Sequence, residues 1–268
     1  MGVVTIAARA ALRHNTGVGG HPENLVGDQP VMWIKICGVR EIELAEPIAK
    51  LGPSAIGLNF YAPSRRSVSP ELATRIAAAM PAEMSRVGVF VNHPLDRLLE
   101  IVDKCRIDVV QLHGDETPEF LAELKQKRAD IECIRAMRIP VDEVAGLDVV
   151  DRYLNDCREL DACPAAILLD AHTGKQYGGT GQTIRWDAIA AYAGRVEWPR
   201  WILSGGLSPE NVGEAVKITQ PHGVDVASGV EDTAGRQSLE RIRRFIEAAR
   251  QPGGTPRGVD TTGKPSDG

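Results

Sequence analysis

The stretch Trp33-Ile34-Lys35-Ile36-Cys37-Gly38 reads as a short buried strand that ends in a thiol and is followed at once by a glycine. An apolar run of about four to eight residues bounded by a turn residue is typical of a parallel strand buried on both faces. A cysteine at the carboxyl end of such a strand lies where open α/β sheets and barrels place their chemistry. Free cysteines are more often inert packing residues, and the stretch alone favours that interpretation of Cys37.

The composition is that of an ordinary globular protein with an aliphatic core. The 268 residues are 43% hydrophobic, 25% charged and only 4% aromatic. The formal net charge of -5 argues against nucleic acid as a partner, although local cations and helix N-termini can still hold an anionic small molecule. No apolar run approaches the roughly 18 residues of a membrane span, so we expect no membrane partner.

The cysteine pattern and the absence of cofactor motifs narrow the chemistry further. The five cysteines are odd in number and form neither a CxxC pair nor a zinc-like spacing. We therefore expect no disulfide framework, and we expect a reducing, cytoplasmic location. The sequence has no HExxH cluster and no strand-linked GxGxxG. We therefore expect no metal and no cofactor.

Short β-branched runs alternate with longer amphipathic runs from residue 31 onward. The strands are predicted at Val31–Ile36, Ala55–Phe60, Arg86–Val91, Val109–Leu112, Glu132–Met137, Ala165–Leu169, Trp201–Leu203 and Gly223–Val226. Ser69 and Ser208, each followed by Pro-Glu, are predicted to cap helices. Eight strand–helix units in about 220 residues predict one α/β domain, a (β/α)₈ TIM barrel over residues 31–251. A doubly wound open sheet is the competing fold, but it rarely needs eight units.

The two ends of the chain are expected to lie outside the barrel. Residues 1–30 are predicted to be a flexible N-terminal extension, and residues 252–268, rich in Gly, Pro, Thr and Asp, a disordered tail.

In a barrel, the residues just past each strand converge on one face. The predicted strand ends supply Cys37, Asn59, Asn92, Gln111, His113, Arg135, Asp170, Ser204–Gly206 and Ala227–Gly229. Many of these side chains are polar or ionisable, so this face is the expected site.

Two of these strand ends carry ionisable groups with more than one possible role. Asp170 directly follows an apolar strand and is either a catalytic acid or base, or a helix N-cap or loop salt-bridge residue. The glycine-rich segment 177–181 after it is flexible enough to form a closing lid. His113 is either a ligand contact or a packing residue, and a lone histidine does not decide between them.

Anion-binding features follow strands two, seven and eight. Gly205 and Gly206 follow the seventh strand and Ser228 and Gly229 the eighth, where many barrels bind a phosphate, although such glycines can also serve only to form tight turns. Arg66, in the segment 64–70, could pair with a substrate carboxylate, but two solvated surface arginines are an equally simple interpretation.

Several segments, in order and spanning roughly residues 33–250, together resemble the phosphoribosylanthranilate isomerase family. They are Lys35-Ile36-Cys37-Gly38, Gly57-Leu58-Asn59-Phe60-Tyr61, Ser64-Arg65-Arg66, Val87-Gly88-Val89-Phe90-Val91-Asn92, Val110-Gln111-Leu112-His113-Gly114, Leu168-Leu169-Asp170, Tyr177-Gly178-Gly179-Thr180-Gly181, Leu203-Ser204-Gly205-Gly206-Leu207 and Val224-Asp225-Val226-Ala227-Ser228-Gly229-Val230-Glu231. Each match is weak singly, and the set is highly specific. Ala227 and Ser67 depart from the family pattern, at positions where it often has serine and an aromatic residue respectively.

The resemblance implies an Amadori rearrangement of N-(5′-phosphoribosyl)anthranilate to 1-(2-carboxyphenylamino)-1-deoxyribulose 5-phosphate in tryptophan biosynthesis. By the same resemblance, Asp170 is the general acid, Cys37 the general base, and Arg66 the residue that holds the anthranilate carboxylate. The predicted substrate-binding residues are Arg66, Gln111, His113, Gly205, Gly206, Ser228 and Gly229. The Cys37 thiol needs its thiolate favoured, by the cationic intermediate or by Lys35.

Two other functions remain as alternatives. One is a different phosphosugar aldose–ketose isomerase, against which Cys37 argues, and the other is a phosphosugar-binding barrel without catalysis. The expected partner is a small phosphosugar, and the oligomeric state is either a monomer or a homodimer.

Overall fold

The computed structural model describes residues 32–140, 147–172, 186–193, 198–233 and 235–251. Eight parallel strands close into a barrel in chain order, β8 pairing with β1. The strands are β1 (Trp33–Cys37), β2 (Ala55–Asn59), β3 (Ser85–Phe90), β4 (Val109–Leu112), β5 (Glu132–Pro140), β6 (Ala166–His172), β7 (Arg200–Ser204) and β8 (Gly223–Val226). The predicted TIM barrel is therefore confirmed.

One helix follows each strand and packs on the outside of the barrel. The helices are α1 (Ile42–Lys50), α2 (Pro70–Ala78), α3 (Leu95–Cys105), α4 (Pro118–Lys127), α5 (Leu147–Glu159), α6 (Trp186–Ala193), α7 (Val212–Thr219) and α8 (Leu239–Arg250). A short 3₁₀ turn, Ser228–Val230, follows β8. No helix within the described ranges is long and apolar enough to cross a membrane.

Helix starts follow the local chemistry in most places. The Ser69 hydroxyl accepts a hydrogen bond from the Leu72 amide with Pro70 in the first turn, as predicted. The Ser208 prediction was wrong, because α7 begins only at Val212. Ser208 Oγ instead accepts a hydrogen bond from the Glu210 amide, and the residues between Ser208 and the helix form a turn.

The strands alternate between a face inside the barrel and a face toward the helices. Trp33, Ala55, Val87 and Ala166 belong to a small core cluster with one or two residues from most strands, which fills the barrel interior. Ile34 and Ile36 belong to the larger cluster between barrel and helices. Because side chains alternate along a strand, Lys35 and Cys37 share the interior face with Trp33.

Two strands extend three residues beyond their predicted carboxyl ends. β5 continues three residues past Met137 and β6 three residues past Leu169, and the extra residues pair with one another as far as Pro140 and His172. The described elements lie within the predicted domain 31–251, whereas residues 1–31 and 252–268, with the predicted extension and tail, lie outside the described residues.

Candidate active site

A pocket of about 720 Å³, part of it open to solvent, lies at the carboxyl ends of the strands. Most of the predicted site residues line it, namely Cys37, Arg66, Gln111, His113, Asp170, Gly205, Gly206 and Ser228. Asn59, Ser204 and Ala227, which the strand ends also supply, line it as well.

The Cys37 thiol is buried at the end of β1, inside the barrel. Its neighbour across the β1–β2 pair is Gly57, where an added Cβ would lie 2.8 Å from Cys37 Sγ. A glycine is therefore required here to leave room for the thiol. Burial raises the pKa of the Cys37 thiol, while the charge of Lys35 opposes that rise and Asp225 adds to it.

Asp170 is buried on β6 and contacts a histidine. His113 Nε2 lies 3.1 Å from Asp170 Oδ2, and His113 Nδ1 lies 2.9 Å from Gln111 Nε2. The three side chains form a hydrogen-bonded chain along one wall of the pocket. Gln111 Oε1 is buried and has no partner among the described residues. Asp170 lies within β6, and the next described helix begins only at Trp186, so Asp170 does not cap a described helix.

Arg66 lies in the loop after β2 and is held by a carboxylate from the loop after β8. Its Nε lies 2.5 Å from Glu231 Oε1, and its Nη2 lies 3.1 Å from Glu231 Oε2. Both groups are largely buried, so the planar guanidinium is fixed in one orientation. Arg65 contacts the same Glu231 but is mostly exposed and does not line the pocket.

The two glycine loops meet at one side of the pocket. Gly205 and Gly206 both have positive φ, at 84° and 65°, which turns the backbone sharply after β7. Gly229 is not among the pocket-lining residues, and a Cβ added to it would lie 1.8 Å from the Leu207 carbonyl oxygen. Gly229 thus allows the loop after β8 to pack directly on the loop after β7.

Arg135 and Asn92, expected at the barrel mouth from their positions, do not line this pocket. Ile134 and Ala136 belong to the barrel-interior cluster, so Arg135 between them points outward. It donates to the carbonyls of Leu112 and Gly114 and pairs with Glu116. Asn92 likewise serves the backbone, because its Oδ1 accepts from the Asp115 amide.

Three pocket features were not singled out from the sequence. Tyr61 and Ser64 line the pocket from the loop after β2, and Asp225 lines it from β8. Side chains alternate along a strand, and Asp225 occupies a position on β8 that points into the barrel. This alternation is a signal that could have identified it. The described residues contain no cluster of three metal-ligating side chains, and the glycine-rich segment 177–181 lies outside the described residues.

The fold and comparisons with known proteins define the class of this chain. A family model described as N-(5′-phosphoribosyl)anthranilate (PRA) isomerase matches residues 34–248. The isomerase of that name from Geobacter metallireducens is 42% identical over 217 residues, covering 81% of this chain and 98% of that protein. The one from Moorella thermoacetica is 41% identical, covering 81% of this chain and 89% of that protein.

Solved structures agree. The crystal structure of phosphoribosyl anthranilate isomerase from Thermotoga maritima aligns with a TM-score of 0.70 at 34% identity, covering 81% of this chain and 98% of that one. A PRAI structure in complex with reduced 1-(o-carboxyphenylamino)-1-deoxyribulose 5-phosphate aligns at 0.68 and 32%, with the same coverage. The chain is thus a barrel enzyme of the aldose–ketose isomerase class. It belongs to the N-(5′-phosphoribosyl)anthranilate isomerase family, whose place is in tryptophan biosynthesis.

Proposed function

We propose that this chain converts N-(5′-phosphoribosyl)anthranilate to 1-(2-carboxyphenylamino)-1-deoxyribulose 5-phosphate, with Asp170 as general acid and Cys37 as general base. The observation that supports these roles most strongly is that both groups reach one pocket, from strands β6 and β1. The rearrangement needs one group that gives a proton to the sugar ring oxygen and another that takes a proton from C2′.

The acid step requires that Asp170 carry a proton, and His113 and Gln111 provide a place for it. With the Gln111 amide nitrogen on His113 Nδ1, His113 donates its Nε2 proton to an ionised Asp170. When the Gln111 amide is rotated so that its oxygen faces His113 Nδ1, His113 Nδ1 carries a proton and donates it to that oxygen. A second proton is then shared between His113 Nε2 and Asp170. We assign the rotated form to the state ready for catalysis, because only it supplies a proton to the ring oxygen.

The base step follows on the opposite side of the sugar. When Asp170 gives its proton to the ring oxygen, the furanose opens to an iminium. The Cys37 thiolate then takes the C2′ proton, and the C–H electron pair becomes the double bond of an enolamine, which tautomerises to the ketone. The cationic iminium favours a nearby thiolate, which counteracts the effect of burial on Cys37.

The two anionic ends of the substrate have separate partners in this proposal. Arg66, oriented by Glu231, pairs with the anthranilate carboxylate. The phosphate binds at the joined glycine loops through Gly205, Gly206 and Ser228, and Gly229 allows the two loops to pack together. Holding both ends fixes the sugar between Asp170 and Cys37. A cytoplasmic location and a monomeric or homodimeric state remain predictions for this chain.

The proposal is tested by following the loss of fluorescence from freshly made anthranilate-containing substrate. Wild-type protein should consume it, and Cys37→Ala and Asp170→Asn should each lower kcat by about 10² or more, the usual scale of acid–base catalysis. Cys105→Ala is the matched control, because that buried thiol contacts Thr74 and Pro70 in the helix layer. No turnover by wild type refutes the function, and near-normal turnover by either variant refutes its residue assignment.

A further inference from the structure

The side chain of Lys35 lies inside the barrel and has no solvent exposure. It lies on β1 two residues before Cys37, and its side chain is 0% exposed. A buried ammonium is costly unless it is paired and hydrogen-bonded. The aliphatic residues of the same interior cluster show that an apolar side chain could fill this space. The presence of a charged ammonium at this buried position therefore suggests that Lys35 has a role beyond packing.

One carboxylate holds this ammonium in place. Lys35 Nζ lies 2.5 Å from Asp225 Oδ1, and the two residues face each other in the β1–β8 register. The other oxygen of that carboxylate, Oδ2, accepts a hydrogen bond from Ser204 Oγ at 3.1 Å. Asp225 and Ser204 are themselves buried. The position of the ammonium is thus fixed from β7 and β8.

The second neighbour of the ammonium is the Cys37 thiol. Lys35 and Cys37 project from the same face of β1, two residues apart, and the charge of Lys35 acts to lower the pKa of the Cys37 thiol. Burial by itself would lower the pKa of Lys35, but Asp225 and Cys37 together raise it above its ordinary value. Lys35 therefore keeps its positive charge, and its two neighbours are the Asp225 carboxylate and a thiol that becomes anionic only as a thiolate.

We propose that Lys35 is a positioning residue whose ammonium stabilises the thiolate form of Cys37, and that Asp225 and Ser204 hold the ammonium at that place. This inference rests on the proposed role of Cys37 as the base. In the base step the C2′ proton passes to Cys37 Sγ and the C–H electron pair stays on the substrate. Lys35 keeps all its protons throughout and contributes only its charge.

A purely structural ion pair makes a different prediction. If Lys35 only neutralised Asp225, removing both charges together would lower the stability and leave the acidity of Cys37 unchanged. The two roles are separated by measuring the acidity of the Cys37 thiol directly. The rate of alkylation by iodoacetamide reports the thiolate fraction, and mass spectrometry of the Cys37 peptide isolates it from the other four thiols. Cys163, which is partly exposed, serves as the internal reference in every sample.

Two variants test the proposal. Lys35→Met keeps the length of the side chain without its charge, and should move the alkylation midpoint of Cys37 upward by about one to three pH units. Lys35→Met with Asp225→Asn leaves neither charge buried and preserves both shapes. Because Asp225 disfavours the thiolate less than Lys35 favours it, the midpoint of the double variant should lie between those of wild type and Lys35→Met.

The ascending limb of kcat/KM against pH should move with the alkylation midpoint in each variant. A folded Lys35→Met protein whose Cys37 profile superimposes on that of wild type overturns the proposal. If Lys35→Met does not fold because Asp225 is left unpaired, the double variant decides by whether its midpoint lies above that of wild type. The alkylation needs no substrate, so failure of this inference is distinguishable from failure of the proposed reaction.

Discussion

His113 Nε2 lies 3.1 Å from Asp170 Oδ2, although the two residues are 57 positions apart in the chain. His113 follows β4 and Asp170 ends the interior face of β6, with the longer β5 between them. The contact places an imidazole against the carboxyl group of the proposed acid. The sequence suggested His113 as a substrate-binding residue, and its position gives it a second possible partner in the protein itself.

A double-mutant cycle separates these two roles of His113. If the imidazole acts through Asp170, His113→Ala should lower kcat about tenfold or more with little change in KM, because a positioned proton donor is lost. In an Asp170→Asn background the same change should then have little further effect. The measurement is steady-state kinetics of the four proteins. Equal effects in both backgrounds would show that His113 acts on the substrate independently of Asp170.

Gly57→Ala should impair catalysis by displacing the thiol of Cys37. The added methyl group would lie 2.8 Å from Sγ and 3.0 Å from the Cα of Cys37, and backbone at this distance does not yield easily. We expect kcat to fall about tenfold or more, since misplacement by about 1 Å has effects on that scale. Overpacking should also cost about 1–3 kcal/mol of stability, measured by urea unfolding.

Gly88→Ala is the matched control for that variant. It lies on β3, and its added methyl group would meet the Phe90 ring at 2.7 Å, in the layer facing the helices. The stability should fall by a similar amount while kcat is retained. Equal kinetic losses in both variants would mean that general destabilisation, rather than the position of the thiol, causes the effect.

The pairing of Arg66 with Glu231 predicts that substitutions of Arg66 and of its neighbour Arg65 change KM by different amounts. Arg66→Lys removes the planar fork and should raise KM about tenfold or more, the scale of a hydrogen bond between charged groups. Arg65→Lys changes a mostly exposed side chain with the same partner and should leave KM nearly unchanged. Steady-state kinetics with the full substrate measures both. A normal KM for Arg66→Lys would remove Arg66 from carboxylate binding.

Local signals predicted the elements well, because each depends on residues close together in the chain. The limits of β4 and β8 agree with the predicted ones, and Ser69 caps α2, as the Pro-Glu pair after it predicts. Ser208 is followed by the same Pro-Glu pair but forms a turn, because Asn211 Oδ1 accepts a hydrogen bond from the Ser208 amide and the helix begins only after Asn211. The same short motif thus has two outcomes, which depend on a residue outside it.

The direction of strand side chains was harder to predict. Parallel strands are buried on both faces, so no apolar–polar alternation shows which residues point inward. Arg135 was expected at the mouth although it lies inside the predicted strand, and Ile134 and Ala136 take the inward positions. The pair Lys35–Asp225 joins residues 190 positions apart. Closure of the barrel makes β1 and β8 neighbours, but the sequence does not show the register that sets Lys35 opposite Asp225.

The buried thiols predict that this barrel loses stability in alkaline solution. Burial raises the pKa of Cys133 to about 12 and that of Cys157 to about 11. In the unfolded chain, thiols ionise near about 8.5. Between these values the folded state retains protons that the unfolded state releases, so the free energy of unfolding falls as pH rises. Each such thiol contributes up to about 1.4 kcal/mol per pH unit.

Cys133→Ala should therefore reduce the steepness of this decline, even though the variant is somewhat less stable near neutral pH because of the small cavity it creates. Urea unfolding at a series of pH values from about 7 to about 10.5 measures the slope. The stability contribution of Cys133 is complete below the pKa of the unfolded thiol and is lost progressively above it, so the two proteins should converge as the pH rises. Cys163→Ala, at a partly exposed thiol, is the control and should retain the wild-type slope. An unchanged slope in Cys133→Ala would show that Cys133 ionises as readily in the barrel as in the unfolded chain.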